Sequence, residues 1–221
     1  VRIRFLTWIN SASFARRLVT SVDEWNMTKK IDEIWISNDI GTRLSEQLIE
    51  LIGQKLQRIT FENYRDCSRI ISLLRSMAHK LKHCTLMYCQ LTCDDVKQIF
   101  MCGAHLKILV LEWCEFNGDE LELETTVVQN TKIESLDFQS EINEHSSKLL
   151  CDVITKSNVK HLRFIAEQNV MSQHVIPQLQ ASSSLIQLQS LFLQSYSIPD
   201  VQSIDEWSWL HRLKLLKRLH V

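Results

Sequence analysis

The sequence predicts an α/β solenoid, with a parallel sheet along one side and helices along the other. Three observations carry that prediction. The stretch from Leu81 to Phe116 holds one apolar pattern twice: Leu81, Cys84, Leu86, Cys89 and Leu91, then Leu106, Leu109, Leu111, Cys114 and Phe116, offset by 25 residues. The first three positions of that pattern recur along most of the chain, and most recurrences are followed by apolar residues at helical spacing. Only 4 Gly and 2 Pro occur among 221 residues, which favours regular elements joined by short turns.

In chain order, Val1, Ile3 and Phe5 alternate with Arg2 and Arg4 as a half-exposed strand would. Ser11 or Ser13 could cap a helix carrying Phe14, Leu18, Val22 and Trp25, so residues 1–30 read as an N-terminal partial repeat or cap. Residues 31–221 read as about seven full repeats plus the start of another, about eight in all. Ile31, Ile34 and Ile36 open the first, with Leu44, Leu48, Leu51 and Ile52 as its helix face. Leu56, Ile59 and Phe61 open the second, with Ile70, Leu73, Leu74 and Met77 behind them. The two model units follow: Val96, Ile99 and Phe100 form a helix face after the first, and Leu121, Leu123, Val127 and Val128 a weaker, irregular one after the second. Ile133, Leu136 and Phe138 precede Leu149, Leu150, Val153 and Ile154, and Val159, Leu162 and Phe164 precede Val175, Ile176 and Leu179. Leu188, Leu191, Leu193, Tyr196 and Ile198 match the full pattern, with Pro199 placed for a first helical turn ahead of Val201, Ile204, Trp207 and Leu210. Leu216, Leu219 and Val221 start a last unit, so the chain reads as part of a longer polypeptide. The competing reading is a bundle of helical hairpins with accidental phasing.

This pattern resembles the leucine-rich repeats, whose units of roughly 20–29 residues carry L-x-x-L-x-L-x-x-N/C-x-L. The units with Cys89 and Cys114 at the ninth position look like the cysteine-containing subtype found in ubiquitin-ligase adaptors. The later, longer units look like the ribonuclease-inhibitor subtype, which also occurs in innate immune sensors and in GTPase regulators. The resemblance implies a curved leucine-rich-repeat solenoid, with its parallel β-sheet on the concave side and helices on the convex side. Asp39, Tyr64, Glu141 and Glu167 depart from Asn or Cys at the ninth position, and a carboxylate or large phenol there should turn outward or distort the turn.

The formal net charge of −1 shows no global drive toward nucleic acid or membrane. No secretory signal opens the chain and no apolar run is long enough to span a bilayer. Seven cysteines, an odd number with several on core positions, suggest a reduced, intracellular and cytoplasmic protein whose thiols act as small apolar fillers. Cys84, Cys89 and Cys93 with His79 and His83 suggest a zinc site on paper, but Cys84 and Cys89 are core positions and no C-x-x-C pair exists. No nucleophile elbow, metalloprotease helix or phosphate loop is present. The expectation is therefore no enzyme, no metal and no cofactor.

The expected function is recognition of a protein partner through outward strand positions. One column holds Trp35, Thr60, Thr85, Val110, Asp137, Arg163, Phe192 and His220. The next holds Ser37, Glu62, Met87, Glu112, Gln139, Ile165 and Gln194, and a third holds Asn38, Asn63, Tyr88, Trp113, Ser140, Ala166 and Ser195. Tyr88 and Trp113 take equivalent places in adjacent units and, with Met87, Ile108 and Val110, predict an exposed apolar patch. Trp35, Met87, Tyr88, Val110, Trp113, Arg163 and Phe192 are the candidate partner-binding residues. A covering segment of the same protein is the competing account of the patch. Lys160, His161 and Arg163, with Lys217, Arg218 and His220, and also Lys82, His83 and Lys107, form basic clusters, read first as a solvated face. Glu112, Glu134 and Asp137 interrupt them, which argues against a nucleic-acid groove. The alternatives are a structural subunit of a large intracellular assembly, or the substrate-recognition part of a ubiquitin-ligase adaptor, an immune sensor or a GTPase regulator.

Overall fold

The computed structural model describes residues 7–9, 13, 16–17, 33–38, 42–52, 56–77, 79–102, 105–117, 132–139, 159–181, 187–195 and 210–220. Several expectations lie outside these residues: the alternation at Val1–Phe5, the helix face of Phe14 to Trp25, the turns at Asp39 and Glu141, and residues 121–128, 149–154 and 196–207. The same holds for the side chains of Leu44, Leu48, Cys93 and Cys102.

The architecture is mixed α/β around one large parallel sheet. Its strands are β1 (Thr7–Ile9), β2 (Glu33–Ser37), β3 (Arg58–Glu62), β4 (His83–Met87), β6 (Ile108–Glu112), β8 (Ser135–Gln139), β9 (His161–Ala166), β10 (Ser190–Ser195) and β11 (Arg218–His220). Among the described residues they pair in chain order to give nine parallel strands in an open sheet. Two short strands, β5 (Gln90–Thr92) and β7 (Glu115–Asn117), pair separately just beyond β4 and β6.

Side chains alternate across a strand, and the burial of these strands alternates with them. On the inward side Ile34, Ile59, Cys84, Leu109, Leu136, Leu162 and Leu191 form one buried row, and Ile36, Phe61, Leu86, Leu111, Phe138, Phe164 and Leu193 the next. Phe116, Phe138 and Phe164 form a chain of rings 5.5 and 5.4 Å apart. The helices close this side: α1 (Thr42–Ile52), α2 (Ser68–Met77) and α3 (Cys93–Cys102) place Ile49, Ile70, Leu74, Val96, Ile99 and Phe100 in the same core.

Short polar devices start the helices. Thr92 and Asp95 form a reciprocal cap on α3: the Asp95 N–H donates to Thr92 Oγ1 at 3.1 Å, and the Thr92 N–H donates to Asp95 Oδ2 at 2.8 Å. Asp66 Oδ1 accepts from the Ser68 N–H ahead of α2. After β9 the chain enters α4 (Gln168–Val170), widens into a π-wound turn (Met171–Val175) and returns to α5 (Ile176–Ala181). The Ile176 N–H reaches back to the Met171 carbonyl. Pro177 explains the wide turn, because it has no N–H to donate and its ring crowds the carbonyl four residues earlier.

From β4 to β11 the turn into each strand of the large sheet is built the same way. The Gln57 carbonyl accepts from the N–H groups of Lys82 and His83, and the Lys82 carbonyl accepts from those of Lys107 and Ile108. The series continues through Lys107, Glu134, Lys160 and Gln189. Differences in unit length are therefore absorbed outside the strands, and the register never slips.

The structure corrects three expectations. Tyr64 does not turn outward or disturb its turn: the ring is 3 % exposed, lies edge-on to Phe61, and its hydroxyl pairs with Ser45 Oγ of α1 at 3.0 Å. A polar residue on the helix face meets the phenol, so the aromatic body is buried without orphaning its oxygen. Ser37 and Ile165 stand in the outward row but are buried. Ala166 is also buried, because β9 runs one residue further than β8 and leads almost directly into α4.

Candidate functional site

The strand register lines up the outward residues as the spacing predicted. Trp35 pairs with Thr60, Thr60 with Thr85, Thr85 with Val110, and Val110 with Asp137. Arg163, Phe192 and His220 continue the row. Trp8 also falls in it by register, beside Trp35, a place that the alternation read at Val1–Phe5 did not locate.

The seven candidate residues do not form one site. Met87, Tyr88, Val110 and Trp113 come together on the neighbouring strands β4 and β6 and the turns that follow them. Trp35 lies two strands away on β2, half-buried, with its indole N–H donating to Glu62 Oε2 at 3.1 Å. Arg163 and Phe192 lie two and three strands to the other side.

Tyr88 and Trp113 hold an uncommon backbone. Their φ angles are 52° and 53°, and Asn63 at the equivalent place has φ 61°. The three N–H groups are aimed alike, to the carbonyls of Met87, Glu112 and Gln139 on the next strand. Asn tolerates this left-handed conformation, whereas for a bulky residue it is a genuine outlier. The sequence pattern placed the two aromatics side by side but carried no sign of their φ. Both are solvent-exposed, Tyr88 by 52 % and Trp113 by 39 %. Met87, Ile108 and Val110 beside them are half-buried, and Met87 is flanked in its row by Glu62 and Glu112.

The next residue of each turn anchors it from below. Cys89 Sγ donates to the Met87 carbonyl at 3.3 Å and Cys114 Sγ to the Leu86 carbonyl at 3.3 Å, so these thiols serve strand carbonyls inside the core. Cys67, Cys84, Cys89 and Cys114 are all buried, and none of them is in a disulfide. Burial pushes the Cys84 thiol up. The neighbouring Cys89 sulfur, together with burial, pushes the Cys67 and Cys114 thiols up as well. Among the described residues no group of three or more His, Cys, Asp or Glu is placed to hold a metal ion.

At the far side of the face a second arrangement appears. The Arg163 guanidinium lies 4.9 Å over the Phe192 ring, which stacks on the His220 imidazole at 4.4 Å and 8°. Arg163 Nη1 also meets Asp137 at 3.5 Å. Its Nε is buried without an acceptor, so the ring and one carboxylate are what hold the guanidinium. Glu134 bridges Lys107 and Lys160, each at 3.4 Å, and the Lys107 ammonium, then Lys160, lowers its pKa. The basic residues near the middle and those of β9 are thus partly paired, not simply solvated. No helix among the described residues is long and apolar enough to cross a membrane. No protein-family model matches the chain, and a search of curated proteins gives no match.

Proposed function

We propose that the chain is a leucine-rich-repeat-like solenoid that recognises a protein partner through the outward face of its parallel sheet. The observation that carries this reading is the pair Tyr88 and Trp113. Each holds a large ring in a left-handed turn where Asn63 shows what an undemanding residue looks like. The conformation disfavours a bulky L-residue by about 1–2 kcal/mol, and the two rings still leave 52 % and 39 % of their residues' surface in water. Trp, Tyr and Met are the residues enriched at the centre of protein interfaces. The regular turns, the constant register and the chain-order sheet support the repeat reading, which in turn supports binding over catalysis.

The test uses Asn at both places, since Asn63 already occupies this backbone. The purified chain and its Tyr88→Asn/Trp113→Asn variant serve as baits in cell extract, with Met101→Asn as a control on the exposed side of α3. Proteins held by the parent and by the control, but lost from the double variant at unchanged fold, are the expected result. Identical captures from all three baits would sink the reading.

A further inference from the structure

Charge is unevenly spread over the outward face. On the side of the aromatic pair it is mixed: Glu62 and Glu112 flank Met87, while Arg58, Lys82 and Lys107 stand at or just ahead of the starts of β3, β4 and β6. Beyond β8 it is basic. Among the described residues, none of β9, β10 or β11, nor the two residues leading into each, carries a carboxylate. Lys160, His161, Arg163, Lys217, Arg218 and His220 lie there instead, with Lys160 and Arg163 each already meeting one carboxylate, Glu134 and Asp137. Arg163 is held in place by the Phe192 ring while 43 % of its side chain stays exposed. A guanidinium oriented by an aromatic ring is preorganised, and this lowers the entropy it loses on meeting an anion.

We infer that the partner segment is an acidic peptide laid across the strands, with one apolar side chain seated at Tyr88 and Trp113 and carboxylates over β9 to β11. The inference rests on the proposed binding role of this face. Its spacing follows from the sheet. From β6 the order runs through β8, β9 and β10 to β11, so β9 is two strands away and β11 four. At ~4.8 Å per strand these are roughly 10 and 19 Å, and Arg163 and Arg218 also lie three and five residues back along the strand register from Trp113, roughly 10 and 17 Å. The separations are then roughly 14 and 25 Å, which an extended chain covers in about four to seven residues at ~3.4 Å each. The acidic residues therefore fall about four to seven positions from the apolar anchor. A nucleic acid fits less well, because Glu62 and Glu112 would repel its backbone at the very place where the rings are offered for stacking.

The test is selection of a displayed random 12-residue peptide library against the whole chain, followed by anisotropy measurements on labelled winners. The expected winners carry Asp or Glu about four to seven positions from an aromatic or aliphatic residue. They lose tenfold or more in affinity to Arg163→Gln/Arg218→Gln and to Tyr88→Asn/Trp113→Asn, and they weaken between 50 and 200 mM NaCl, as exposed ion pairs do on the order of one Debye length. Winners that need Tyr88 and Trp113 but show no acidic bias, and bind Arg163→Gln/Arg218→Gln normally, overturn the inference and leave the binding role standing. Winners indifferent to Tyr88→Asn/Trp113→Asn overturn the role as well. A labelled 12-nucleotide oligouridylate that binds more tightly than every peptide, or a library with no winners, also overturns it.

Discussion

Asn63, Tyr88 and Trp113 adopt one backbone with three different side chains, and that makes residue-level energetics testable. Tyr88→Asn is expected to raise stability by about 0.5–1 kcal/mol, because Asn enters the left-handed region more readily. A urea midpoint shifted upward at unchanged slope would show it; a downward shift would mean that the ring packs more than its exposure implies. Stability and partner binding should then move in opposite directions on a single substitution. A second residue-level expectation concerns His83. Burial lowers its pKa from 6.5, with Arg58 acting in the same sense and Glu33 against it. A group with a lowered folded value contributes stability above its unfolded pKa and loses it as pH falls through the folded value. The melting temperature should therefore drop between pH 7 and pH 5, and His83→Gln should flatten part of that slope. An unchanged slope in that variant would remove His83 from the account.

At the scale of the element, the inward rows are where stability is concentrated. Phe138→Ala on β8 is expected to cost about 3–5 kcal/mol, since the ring is fully buried between Phe116 and Phe164. Equilibrium unfolding measures it, and a loss below ~1 kcal/mol would show that the rings relax into the gap. These rows were legible in the sequence because strand burial follows a two-residue period that any apolar pattern reveals. The outward rows were legible for the same reason, as register and not as exposure. Ser37, Ile165 and Ala166 show the difference: the pattern gave their places, while their burial depends on how the chain leaves the strand. Tyr64 was misjudged because its partner, Ser45, sits 19 residues earlier on a helix, and no local spacing links the two. The π-wound turn was missed although its cause, Pro177, stands in the sequence, since a proline inside a helical pattern announces a disturbance without saying which. The stacking of Arg163, Phe192 and His220 needed coordinates, because shared register does not say how planar groups lie against one another.

For the whole molecule, stability is expected to vary along the sheet. In an array where each unit touches only its neighbours, as proposed above, the middle is held from both sides and the ends from one. Amide exchange should be slowest in β4, β6 and β8 and faster in β11, whose three residues are all exposed. Uniform protection across all nine strands would instead mark a single cooperative block. The three left-handed turns have a further meaning at this scale. Each holds its backbone through an N–H aimed at the next strand, and its side chain plays no part in that bond. Residue identity at 63, 88 and 113 can thus be changed without removing that backbone bond, like type set in a fixed line. Asn63→Trp should lengthen the aromatic row from two rings to three at a loss of about 1 kcal/mol, which makes this row a natural place to re-address the protein to a new partner.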